Sequence, residues 1–149
     1  FDHTGAVFAV AEETGADIWI NEKDIAKGDP GEEGFLFDPQ GRTVMKYAEG
    51  DRILCGGLTF EIIETPGHSE GSVTIICENA MFTGDTLFRE SCGRTDLVGG
   101  SMDEMLVSLR KLASIPGDFE VYPGHMEATT LARERAFNHY VRYACTENI

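Results

Sequence analysis

The sequence has no apolar run long enough to cross a bilayer, so no membrane span is expected. It is also poor in basic residues, with 12 Lys and Arg against 26 Asp and Glu and a net charge of −14. Nucleic acids and anionic membrane surfaces are held by clustered cations, and neither is expected as a partner here. Cysteine is scarce: Cys55, Cys77, Cys92 and Cys145 contain no C-x-x-C pair. That spacing gives neither a thiolate metal knuckle nor a disulfide framework, and it points to a reducing, cytoplasmic setting. There is no signal-peptide pattern and no initiating Met, so Phe1-Asp2-His3 reads as an interior point of a longer chain.

What is present suffices for a core: 149 residues, 42% of them hydrophobic, fit a single domain spanning 1–149. Residues 4–14 place Val7, Val10 and Ala11 at helical spacing, and Gly15 follows as a stop. Asp17 to Ile20 reads as a short strand, Asn21 to Asp24 as a brief polar helix, and 27–42 as a loop of Gly, Pro and acids. Ile53–Cys55 and Leu58–Glu64 flank Gly56-Gly57 as a hairpin. Val73–Cys77 and Ala80–Phe82 are two further strands joined by Glu78-Asn79. Met102, Met105, Leu106, Leu109 and Leu112 form the apolar stripe of a helix over 102–115, with Ser101 and Glu104 as its capping box. Phe119–Tyr122 is a strand ended by Pro123, and a last helix begins at Thr129 or Thr130 and runs through Arg135. Clustered strands with interspersed helices predict a layered α/β domain.

The histidines carry the chemistry. There are four, and His68 and His125 each close a Pro-Gly-His turn directly after an apolar strand. Asp85 sits in Thr83-Gly84-Asp85-Thr86, again at a strand end, and His3 follows Asp2 just before the first helix. Alone, each of these patterns is more often a surface turn or a cap. Together, at successive strand ends, they describe ligands held by a rigid sheet yet open to solvent. Imidazole with carboxylate suits Zn²⁺ or Fe²⁺ better than Ca²⁺ or Mg²⁺. His139 lies beyond the last motif and is read as structural.

These residues resemble the metallo-β-lactamase superfamily, whose fold is an αββα sandwich and whose first motif is His-x-His-x-Asp-His. Phe1-Asp2-His3 looks like the end of that motif, and Thr4-Gly5-Ala6 its continuation into a helix. Thr83 to Phe88 (TGDTLF), Cys92 to Leu97 (CGRTDL), Tyr122 to His125 and Thr129-Thr130 are similar to the glyoxalase II-like branch. The resemblance implies two metals, expected as Zn²⁺ with Fe or Mn as alternatives. One site would take Asp2, His3, Asp85 and His125. The other would take His68, the bridging Asp85 and two His that precede Phe1. The implied reaction is hydrolysis of a thioester, such as an S-acylglutathione, by a metal-bound hydroxide. Asp85 would bridge the metals and Asp2 would orient the nucleophile.

By the same resemblance Arg94 is the substrate-binding candidate, its guanidinium fork suited to a carboxylate; the other reading is a salt bridge to a nearby acid. Cys92 has no neighbouring His in sequence and is expected to pack rather than react. With the two leading His, the opening strands and the helical C-terminal domain of full glyoxalase II enzymes all outside these 149 residues, this stretch alone is expected to be nearly inactive. Comparison with an upstream-extended chain tests that. Two other readings stay open: a mononuclear iron persulfide dioxygenase on the same fold, which usually carries Ala where Gly124 stands, and a non-catalytic metal-binding module. Self-association into a homo-oligomer is a further expectation left open by the residues.

Overall fold

A computed structural model describes residues 2–26 and 36–146. In chain order the elements are α1 (Val7–Thr14), β1 (Trp19–Asn21), a 3-10 turn (Glu22–Asp24), β2 (Met45–Tyr47), β3 (Arg52–Cys55), β4 (Leu58–Glu64), β5 (Val73–Cys77) and β6 (Ala80–Gly84). There follow β7 (Leu87–Phe88), β8 (Ser91–Cys92), α2 (Met102–Ser114), β9 (Glu120–Pro123), β10 (Thr129–Thr130), α3 (Leu131–Phe137) and α4 (His139–Thr146).

The alternating residues of β4 let one strand serve two environments. Six strands pair in the order β10-β9-β6-β5-β4-β3. All neighbours are antiparallel except β6 and β9, which run parallel. It follows that β4, β6 and β9 point the same way and end at the same edge. On one face, Met81 and Val121 pack with Met105, Leu109 and Leu112 of α2 and with Leu131 and Val141 of α3 and α4, while Ile63 and Ile76 border this cluster. Each such side chain taken fully out of water contributes roughly 1.5–3 kcal/mol. The other face carries the register row Ile62, Ile75, Phe82 and Tyr122. Asn21 and Lys23 reach onto this side to bond Glu64 at 3.0 and 3.1 Å. Helices α2, α3 and α4 on one side and the small β1–β2 sheet on the other give the layered arrangement expected of the α/β class.

Several local expectations are refined. The first helix starts at Val7, not at Thr4, and buries no residue. β2 has no counterpart in the residue pattern; it pairs parallel with β1, which is distant in the chain, and no local pattern encodes that pairing. The capping box is half formed: Ser101 Oγ accepts from the Glu104 N–H at 3.3 Å, but the Ser101 N–H donates to the Gly67 carbonyl at 2.8 Å. The last helix breaks at Asn138, whose Oδ1 caps α4 by accepting from the Tyr140 N–H at 2.9 Å. Residues 27–35 of the predicted loop lie outside the described residues, as does Phe1.

Candidate metal centre

The common direction of β4, β6 and β9 gathers the motifs. His68 leaves the turn after β4, Asp85 directly follows β6, and His125 follows β9. The parallel pairing ends with Gly84 beside Pro123, and the Gly124 N–H donates to the Gly84 carbonyl at 2.8 Å. This sets Asp85 and His125 side by side. Buried hydroxyls tie the remaining loop to them: Thr86 Oγ1 bonds Thr65 Oγ1 at 3.1 Å, and Thr65 bonds Thr74 at 3.2 Å. Nothing in the sequence singled out these threonines beyond their place next to the motifs.

Three imidazoles converge on one carboxylate oxygen. Asp85 Oδ2 lies 3.4 Å from His3 Nε2, 3.5 Å from His125 Nε2 and 3.6 Å from His68 Nε2. His3 and His125 face each other with their Nε2 atoms 3.2 Å apart, and Asp2 Oδ2 is 3.3 Å from His125 Nε2. The donor atoms of Asp2, His3 and His125 all fall within 4.8 Å of one another. The structure thus brings Asp2, His3, His68, Asp85 and His125 together. His139 is exposed at the start of α4 and takes no part.

The charge pattern suits a cation. His68 Nδ1 sits 2.8 Å from the Arg94 carbonyl, which can only accept, so Nδ1 carries a proton. The other ring nitrogen, Nε2, is thereby turned towards Asp85 Oδ2. Such a backbone partner on the far nitrogen is what orients metal-binding histidines. Asp85 is only 10% exposed, and its Oδ1 is buried without a hydrogen-bond partner. An anionic oxygen left so costs several kcal/mol, about 3–5 by the usual measure of a broken buried pair, unless positive charge sits beside it. The backbone also leaves room: a Cβ on Gly124 would lie 2.4 Å from Asp85 Oδ1 and 2.7 Å from His3 Cε1. The donor set therefore fits zinc, iron or manganese, with imidazole nitrogen excluding a calcium-type cage.

Asp2 is exposed, and its carboxyl lies below the usual range, chiefly through its own backbone N–H and further through His3 and His125. The Arg94 guanidinium does not join the cluster. It makes a two-pronged pair with Asp96, both contacts 2.7 Å, and holds that carboxyl down at about 2. Of the two readings for Arg94, the salt bridge is the one formed. Its carbonyl, which the sequence could not single out, is what touches the cluster. Cys92 packs against the helix-side core, and burial pushes its thiol up to about 11, as expected of a packing residue.

Comparisons with known proteins agree with this geometry. The model of the metallo-beta-lactamase superfamily matches residues 1–125. A Mycobacterium bovis protein, Mb2612c, is 40% identical over 116 residues, covering 72% of this chain and 52% of that protein. The chain thus spans about half the length of such mycobacterial relatives. Hydroxyacylglutathione hydrolase GloC of Haemophilus influenzae is 30% identical over 159 aligned positions, covering 94% of this chain and 71% of that protein. The crystal structure of TTHA1623 in a di-iron-bound form matches with a TM-score of 0.78 and 32% identity, covering 94% of this chain and 72% of that one. With sheet, strand-end ligands and family model in accord, this chain belongs to the metallo-beta-lactamase superfamily.

Proposed function

We propose that the chain is a metal-dependent hydrolase acting on a thioester of the S-acylglutathione type. The observation that carries the metal part is the convergence of three imidazoles on Asp85, whose second oxygen has no partner. Asp2, His3, Asp85 and His125 would hold one cation, and His68 with Asp85 would contribute to a second. When bound, such cations polarise a carbonyl and bring the pKa of water near neutrality.

The chain's own residues do the rest. The Arg94 carbonyl keeps His68 Nε2 aimed inward. Asp2, ionised and 61% exposed, can accept a hydrogen bond from a water and orient it. Arg94 is 61% exposed, and on release from Asp96 its fork can take a substrate carboxylate. A thiolate leaves readily, so no strong general acid is required. The likeness to GloC, a hydroxyacylglutathione hydrolase by name, supports the thioester class.

The test is hydrolysis of an S-acylglutathione by the zinc-loaded, upstream-extended chain, read as thiol release. Activity is expected to vanish with a chelator and to fall at least about 100-fold in Asp85→Asn. Equal hydrolysis by the metal-free protein would sink the proposal. Oxygen uptake with glutathione persulfide and no thioester hydrolysis would favour the iron dioxygenase instead, and metal uptake with neither reaction would favour the non-catalytic metal-binding module.

A further inference from the structure

Two buried polar residues of α3 and its end, Glu134 and Asn138, have no part in the chemistry described so far. Both are fully buried, and they stand four residues apart. The Glu134 carboxylate accepts from Thr129 Oγ1 at 2.6 Å, from the Glu90 N–H at 2.7 Å and from Asn138 Nδ2 at 2.9 Å. Asn138 Nδ2 donates as well to the Ser91 carbonyl at 2.9 Å and the Phe88 carbonyl at 3.2 Å. The pair therefore grips the β7–β8 hairpin at Phe88, Glu90 and Ser91. A carboxylate so deeply buried is tolerable because donors surround it.

The gripped hairpin and the two residues that leave it touch the cluster three times. Phe88 sets its ring edge to face with His125, centroids 6.0 Å apart at 83°. Beyond β8, Gly93 lies against the backbone of Asp85, where a Cβ would come within 1.9 Å of the carbonyl oxygen. One residue further, the Arg94 carbonyl accepts from His68 Nδ1. The hairpin and its exit at Gly93-Arg94 thus border His125, Asp85 and His68, and one buried polar pair fixes that hairpin to α3.

We infer that Glu134 and Asn138 are positioning residues that set the aim of His68 and His125 through the β7–β8 hairpin. The inference rests on the metal-centre reading for its consequence, but the aiming itself is a property of the metal-free chain. Outer partners of this kind typically change metal affinity 10- to 100-fold. Loss of the grip is therefore expected to weaken Co²⁺ binding about 10-fold.

The experiment compares wild type, Glu134→Ala, Glu134→Gln and the core variant Leu112→Ala. The readouts are the imidazole nitrogen and carbon-bound proton NMR signals of the metal-free protein, and a Co²⁺ titration followed by absorption. Gln can still accept from Glu90 and Asn138 through its oxygen and donate to Thr129, so it should restore the wild-type pattern. Glu134→Ala is expected to shift the His68 and His125 signals and weaken Co²⁺ binding, while Leu112→Ala does neither at a temperature where all are folded. Unmoved signals in Glu134→Ala, or equal movement in Leu112→Ala, would overturn the inference. If Glu134→Ala does not fold, Asn138→Ser is read the same way, because Ser keeps the α4 cap and deletes both bonds to the hairpin. If wild type binds no Co²⁺ yet its signals move as stated, the metal reading fails and the positioning stands.

Discussion

Gly124→Ala isolates the space beside the Asp85 carboxylate. The backbone at Gly124 lies outside the left-handed region, so Ala can adopt it, and such an exchange by itself stabilises by about 0.4–1 kcal/mol through the unfolded state. The obstacle is contact. The new Cβ would lie 2.4 Å from Asp85 Oδ1 and 2.7 Å from His3 Cε1. Non-bonded contacts involving carbon settle near 3.5 Å, so carboxylate and ring must together yield on the order of 1 Å. The main chain has little freedom to retreat, because the Gly124 N–H is bonded to the Gly84 carbonyl at 2.8 Å. A displacement of that size in a reactive arrangement costs about 100-fold in rate, and metal affinity should fall roughly 10- to 100-fold. The assay is Zn²⁺ competition against a chromophoric chelator, with thermal unfolding of the metal-free protein as control. The expected outcome is weakened metal binding, while the metal-free protein still folds and loses no more than about 1–3 kcal/mol to the overpacking. Wild-type zinc affinity in Gly124→Ala would refute the argument that this glycine keeps the cradle open.

Further outcomes follow from the same geometry. Arg94→Ala should raise the Asp96 midpoint from about 2 towards an ordinary carboxyl value in an NMR pH titration. Because that carboxyl is depressed in the folded chain, the pair's contribution is complete above the ordinary carboxyl range and is lost as pH falls through about 2; solvent screening keeps its effect on stability small. If Arg94 also holds substrate, the same variant raises KM for an S-acylglutathione while kcat stays near wild type. Iodoacetamide at pH 8 should modify exposed Cys55 and Cys145 and spare Cys92, whose thiol sits at about 11; mass spectrometry of the peptides reads the result. Leu109→Ala empties a fully buried position between α2 and the sheet and should cost about 2–5 kcal/mol in denaturant unfolding, with no change in imidazole signals.

Much of this protein is local and so readable from residue order. The stripe from Met105 to Leu112 makes α2 because apolar positions recur with the helix period, and β4 alternates because its two faces meet different surroundings. The donors His68, Asp85 and His125 stand out because each follows an apolar strand, and a side chain's coordinating chemistry belongs to the residue itself. What residue order leaves undecided is which strands run together and what touches across them. Only the β6–β9 parallel pairing and the shared direction of β4 turn three separate strand ends into one cluster. Only tertiary contact gives the Arg94 carbonyl to His68 while its guanidinium goes to Asp96, and only the fold brings Glu134 and Asn138 under the hairpin that borders the site. The physical reason is distance along the chain: local periodicity sets an element and its buried face, but a hydrogen bond between residues 26 or 44 positions apart exists only once the sheet has set their geometry.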